Sequence, residues 1–200
     1  MEILVVVAHP NPGSFNRAIA DTAVAAARRC GHEAVLHDLY EEKFDPLLQP
    51  AELSKNAKLD PSIARHCADL TSADGIVIVH PNWWGQPPAI LKGWLDRVVR
   101  QGVAYEFRTG PNGEGQSVGL LKMQTALVVT TANTPAEVEL KVYGDPLENL
   151  WKTCVFGLCG IPRAHRLAFT PVIVSTPEQR AQWLREVSEK MQNLFPPAGG

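Results

Sequence analysis

The stretch Gly75–Trp94, GIVIVHPNWWGQPPAILKGW, decides the fold of this chain. Ile76–Val79 is a short β-branched apolar run, the pattern of a strand buried on both faces. His80 and Pro81 are expected to end it, because proline cannot donate to a sheet ladder. Asn82, Trp83, Trp84 and Gly85 then form a loop where the carboxyl end of the strand opens to solvent. Pro87 and Pro88 fit the first turn of a following helix, where a missing N–H costs little. That helix is predicted over Ala89–Val99, with Ile90, Leu91, Trp94, Val98 and Val99 at helical spacing. Adjacent tryptophans on a tight loop are expensive to expose. They either pack beneath a neighbour or wall a site for a flat apolar ligand.

On both sides of this unit the same alternation repeats. Ile3–Ala8 reads as a central parallel strand, and His9–Gly13 as a turn-rich loop. Ser14 caps a helix running to Arg29. Glu33–Asp38 is a second strand, followed by an irregular connection over Glu41–Asp60 and a helix over Pro61–Ser72. Thr125–Thr130 is a buried strand, Leu147–Leu158 a helix and Arg166–Val174 the last strand. Thr176 caps the final helix, which Pro177 opens and which runs to Leu194. Residues 1–195 are read as one α/β domain and 196–200, PPAGG, as a disordered tail. Strands alternating with helices imply a doubly wound five-stranded parallel sheet of order 2-1-3-4-5, with helices on both faces. Ligands of such sheets sit outside the carboxyl ends of strands 1, 3 and 4. The unusual loops fall there: HPNPGSFN, HPNWWG and TTANTP.

Composition narrows the partners. The 200 residues carry a net charge of −2 and are 45% hydrophobic, enough for one well-cored domain. No basic block stands out, which argues against nucleic acid and anionic membrane. No apolar run approaches the roughly 18 residues of a membrane span. Cys30, Cys67, Cys154 and Cys159 form no CxxC pair, so reduced thiols in the cytoplasm are the expectation. Cys154, Cys159 and His165 make an incomplete ligand set, and no metal is expected.

The first loop meets the opening of a helix, where free N–H groups and the dipole favour an anion. Ser14, Asn16 and His9 add side-chain donors, yet neither a P-loop nor a GxGxxG is present. Ordinary capping by Ser14 explains the same residues. Thr130, Thr131, Ala132, Asn133 and Thr134 give the third loop a dense set of small polar groups and amides. A turn that satisfies its own backbone is the alternative.

Several of these motifs together resemble the NAD(P)H:quinone oxidoreductases, the DT-diaphorase-like branch of the flavodoxin fold. They are AHPNPGSFN, HPNWWGQPPAILKGWLDRV, GVAYEF, VVTTANTP and YGDPLENLWKTCVFGLCGI. Its bacterial members are known as modulators of drug activity or as ancillary proteins of potassium efflux. The resemblance implies a bound flavin, FAD or alternatively FMN, with NADH or NADPH as co-substrate and a quinone as acceptor. It also implies a homodimer with active sites at the interface.

By the same resemblance His9, Ser14, Phe15 and Asn16 hold the flavin phosphates. Pro81, Asn82, Trp83, Trp84 and Gly85 run along the ring, and Thr130 and Thr131 open the loop at its reactive edge. The mammalian enzymes follow those threonines with two glycines; here Ala132 and Asn133 stand there, and a positive φ at Ala132 would be strained. Tyr143 falls where those enzymes carry a histidine that steadies charge on the reduced flavin. It precedes Gly144-Asp145-Pro146, a turn expected to aim its phenol into the crevice. Tyr105 and Phe107 match aromatic positions that line the substrate pocket from the partner subunit, with Trp84 also in that pocket, Tyr105 joining Tyr143 as a catalytic candidate and Pro111–Gly115 a mobile rim. The competing readings are a flavin-bearing regulatory subunit of a potassium-efflux transporter, a one-electron carrier, and an azo or nitro reductase of the same fold.

Overall fold

The computed structural model describes residues 1–197. Five strands hydrogen-bond in parallel: β1 (Glu2–Val7), β2 (Glu33–Asp38), β3 (Gly75–Pro81), β6 (Thr125–Thr131) and β7 (Arg163–Phe169). Their order is β2-β1-β3-β6-β7. Alternation along the central strands builds two cores. Ile3, Val5, Val77, Val79, Leu127 and Val129 meet α1 (Phe15–Arg29) and α6 (Pro177–Leu194). Leu4, Val6, Ile76, Ile78 and Val128 meet α2 (Pro61–Ser72) and α3 (Ala89–Val98) on the other face. Ala20, Ala23, Ala26 and Ala27 give α1 a buried stripe of small residues.

One glycine shows how closely the long connection is packed. A Cβ on Gly93 of α3 would lie 2.3 Å from the Pro46 carbonyl oxygen. Arg97, one turn further, donates to both carboxylate oxygens of Glu52, at 2.9 and 2.5 Å, and to the Asp45 carbonyl at 2.6 Å. The irregular stretch is thus clamped across α3 by a buried bidentate pair.

Several elements differ from their sequence expectations. His80 and Pro81 belong to β3. Residues 79 and 81 both turn toward β1, since Ala8 N donates to Val79 O and Asn82 N to Thr131 O. β1 ends at Val7, so no partner asks Pro81 for an N–H. Pro87 and Pro88 precede α3 instead of opening it; Pro88 is its cap, accepting from Leu91 N and Lys92 N.

Residues 105–119 form an antiparallel hairpin outside the main sheet, β4 (Tyr105–Thr109) with β5 (Gly115–Gly119). The expected rim Pro111–Gly115 is its turn, with Gly115 already paired to Thr109. A short helix α4 (Ala136–Lys141) follows β6, which carries one residue more than expected. The helix expected over 147–158 starts at Pro146 as α5 (Pro146–Asn149) and widens into a π-helix over Leu150–Gly157.

β7 begins earlier and ends earlier than expected, because its last partner is Thr131, opposite Phe169. Beyond it, Val172 N turns back to Ala132 O, and Ile173 and Val174 are exposed. Of the expected tail, Pro196 is anchored through its carbonyl to His32 Nε2 at 2.9 Å, and 198–200 lie outside the described residues. Among the described residues no helix is long and apolar enough to cross a membrane.

Candidate functional site

The carboxyl ends of β1, β3 and β6 open onto one cavity of about 430 Å3. Its floor is the amino end of α1. Ser14 is the cap, its Oγ accepting from Arg17 N at 3.2 Å. The Asx turn at Asn11 shapes the approach: Oδ1 accepts from Gly13 N at 2.9 Å and the carbonyl from Ser14 N at 3.1 Å. No carboxylate stands in the first turn of α1, so its positive end is not offset there. Arg17 is engaged elsewhere, by Asp21, Asp38 and Glu41.

Thr131 ties the three loops together. Its hydroxyl exchanges hydrogen bonds with the Asn16 amide, at 2.9 and 3.2 Å, and its carbonyl accepts from Asn82 N at 2.6 Å. Arg180, from α6, closes the far wall. Its Nε donates to Ser175 Oγ at 2.8 Å, an Nη to Val172 O at 3.2 Å, and the guanidinium lies 5.9 Å from the Phe15 ring centroid. Among the described residues it has no carboxylate partner. A helix amino end and an unpaired guanidinium in one cavity make a site for an anion.

Of the residues singled out above, His9, Ser14, Phe15, Asn16, Pro81, Asn82, Trp83, Thr131, Ala132 and Asn133 line this cavity. Thr130 lines an adjoining space of about 210 Å3, together with Asn82, Asp145 and Arg166. Trp84 and Gly85 are the centre of a two-residue turn, with Trp83 and Gln86 bonded to each other through both N–H groups. Both central residues have positive φ, 59° and 71°, the signature of a type I′ turn. The Trp84 side chain is fully exposed and lines neither cavity.

The third loop is less open than expected. Ala132 does not take a positive φ, and its N–H is held by Phe169 O at 3.1 Å. Asn133 Oδ1 accepts from Ile173 N. Tyr143 is exposed and lines no cavity of the site. In the turn after it, the Asp145 carboxylate is bound by both Nη groups of Arg166 at 2.8 Å. Tyr105 faces a separate cavity of about 380 Å3, and Phe107 packs edge-on against it, exposed.

Sequence reasoning missed Arg180, Asn11, Gly13 and Val172 as lining residues. Only NPG, an Asx-turn pattern, carried a local signal. Arg180 is one arginine on an amphipathic helix, and it reaches the cavity through tertiary packing alone.

A second polar cluster lies between β2 and α2. His37 Nδ1 faces Glu42 Oε1 at 2.8 Å and its Nε2 faces Asp69 at 2.9 Å. His66 Nε2 lies 3.0 Å from Glu42, without hydrogen-bond alignment. Burial raises the Glu42 carboxyl, but the two imidazoles outweigh it and hold it at about 2. Three donor atoms within 4.8 Å invite a metal. The Trp94 indole, however, donates to His66 Nδ1 at 3.2 Å, which leaves the ring proton on Nε2 and its lone pair unavailable. Cys159 is buried, which pushes its thiol up to about 11, whereas Cys154 is exposed.

The comparisons with known proteins agree with this architecture. The chain is 32% identical to an uncharacterized NAD(P)H oxidoreductase of Haemophilus influenzae, covering 96% of this chain and 95% of that one. It is 29% identical to NAD(P)H dehydrogenase [quinone] 1 of Rattus norvegicus, covering 96% and 77%. Among solved structures, an FMN-dependent NADH-azoreductase from Bacillus anthracis in complex with FMN shares the fold. There the TM-score is 0.76 at 19% identity, covering 98% and 100%. A family model described as flavodoxin-like fold matches residues 1–194, and the chain belongs to that family.

Proposed function

We propose that this chain is a flavin-dependent enzyme that uses NAD(P)H to reduce quinones or similar flat acceptors by two electrons. One observation carries the reading. The ends of β1, β3 and β6 converge with the amino end of α1 and an unpaired Arg180 on a single cavity of about 430 Å3. That donor set fits a ligand with phosphate at one end and a flat ring at the other. The names of the two relatives support the nucleotide and the quinone, and the FMN complex supports the cofactor.

The first turn of α1, Ser14 and Arg180 would hold phosphate, while Pro81, Asn82 and Trp83 would border the ring. A bound flavin, FAD or alternatively FMN, would supply the redox chemistry, hydride uptake from NAD(P)H and two-electron transfer to the acceptor. The protein contributes orientation and fixed donors. Tyr105 and Phe107 stand away from this chain's own cavity, so they can serve a flavin only across a subunit boundary. A two-fold dimer is therefore part of the proposal.

With flavin added, the protein should turn over NADH or NADPH repeatedly when a benzoquinone is present, giving parallel double-reciprocal lines. Intersecting lines would contradict a shared pocket for donor and acceptor. Failure of both nucleotides would contradict the reading itself.

A further inference from the structure

Directly behind the cavity wall sits a histidine that the chemistry above does not use. His80 is wholly buried in β3. Strand alternation turns its side chain to the α2–α3 face, where the π-helix presents Trp151, also wholly buried. The indole Nε1–H donates to His80 Nε2 at 3.0 Å. An indole can only donate, so Nε2 must carry a lone pair and the ring proton sits on Nδ1. Nδ1 lies 2.8 Å from the Pro81 carbonyl oxygen and donates to it.

That carbonyl is one the fold would otherwise leave without a partner. Residues 79 and 81 turn toward β1, and Val79 O is met by Ala8 N, but β1 has ended before Pro81. A buried carbonyl without a donor is costly, and the imidazole supplies the donor that no strand can. The same peptide unit continues into Asn82, whose N–H goes to Thr131 O. Pinning the Pro81 carbonyl therefore fixes the plane from which Asn82 and Trp83 enter the cavity.

We propose that Trp151 and His80 are positioning residues acting as a relay: the indole anchors the ring through Nε2, and the ring, with its proton on Nδ1, sets the cavity-lining loop Pro81–Trp83. The proposal rests on the flavin reading of that cavity. Burial, with a smaller contribution from the charge of Arg166, pushes His80 down to about 4 against the opposing Pro81 hydrogen bond. The ring is thus neutral across physiological pH and keeps one donor and one acceptor. Protonation would set an N–H against the indole N–H.

Nitrogen-15 NMR of the apo protein reads the tautomer directly, with no flavin present. The expected signature is Nδ1–H in the parent, with the Nε2 resonance of Trp151→Phe moving toward that of an imidazole nitrogen that accepts no hydrogen bond. An Nε2–H parent, or an unchanged Nε2 resonance in Trp151→Phe, would overturn the relay. FMN and FAD titrations of the flavin-free protein, read by fluorescence, then test the consequence. Trp151→Phe and His80→Phe should each weaken binding about tenfold, the effect of one lost hydrogen bond. The double variant should be no worse than either single, and His80→Asn, which keeps a donor near the Nδ1 position, should recover most of the loss.

Additive losses, or equal losses in His80→Asn and His80→Phe, would reduce both residues to packing and overturn the proposal. A parent with the Nδ1–H signature that binds neither flavin would overturn the functional reading, and with it the loop's role, while leaving the tautomer assignment standing.

Discussion

Trp84 concentrates the residue-scale questions. A bulky side chain at φ 59°, fully exposed, costs about 1–2 kcal/mol of backbone strain and removes no apolar surface from water. Such an arrangement persists where something outside the chain uses it. Trp84→Gly removes the strain, partly offset by the extra freedom of glycine in the unfolded chain. The expected melting temperature is unchanged or slightly raised, while flavin retention and turnover fall together if the exposed indole serves the partner subunit of the proposed dimer. Trp94, wholly buried, is the control: Trp94→Ala should cost about 3–5 kcal/mol in chemical denaturation. A comparable loss in Trp84→Gly would make Trp84 a packing residue.

Arg180 poses the opposite case, a charge kept near an aromatic ring and away from any carboxylate in the described residues. Arg180→Met retains the stem and removes the charge. It should weaken FMN or FAD binding by about 10–100-fold, with denaturation midpoints near the parent value. Unchanged affinity would remove it from the phosphate site.

The elements that read clearly from sequence are those whose burial is uniform. β1, β3 and β6 carry unbroken apolar runs because both faces are covered. α1 and α6 announce themselves through Ser14 and Thr176, whose side chains accept from Arg17 N and Gln179 N. The hairpin β4–β5 was not legible, since the alternation in YEFRT spans only two apolar residues and GQSVG, largely exposed, has none. Nor does any residue pattern separate a π-turn from an α-turn, so the widening at Leu150–Gly157 had no signal. LAFTPVIV reads as one strand, but the ladder stops where β6 stops. Strand length was set by a partner that local sequence does not display.

The same limit hid the exposure of Tyr143. It also hid the reason for Gly93, which becomes plain only when Pro46 is seen against it. Gly93→Ala tests that contact, because two effects oppose. Helix propensity favours alanine by about 1 kcal/mol, while overpacking typically costs about 1–3 kcal/mol. With a Cβ 2.3 Å from a backbone oxygen, overpacking should win, and the urea midpoint should fall. A rise would mean that the connection yields freely.

For the whole molecule, two expectations concern the folded state as a unit. His80 holds its proton less readily when folded than the ordinary value of 6.5 implies, titrating at about 4. The unfolded chain therefore takes up a proton first. Stability from this group is complete above about pH 6.5 and is lost as pH falls toward 4, in total about 3 kcal/mol. His80→Asn should flatten the stability curve over that window, relative to the parent, in urea denaturations at stepped pH. Parallel curves for parent and variant would contradict the assignment.

The second expectation is the flavin itself, on which the cavity, Arg180 and the loops all bear. The direct measurement is the absorbance and mass of the small molecule released on denaturing the purified protein, with melting curves in saturating FAD and FMN. A yellow protein releasing one of these flavins is expected. A flavin-free preparation should gain about 2.7 kcal/mol at a hundredfold excess over the dissociation constant. A colourless protein whose melting temperature ignores both flavins would contradict the proposed function.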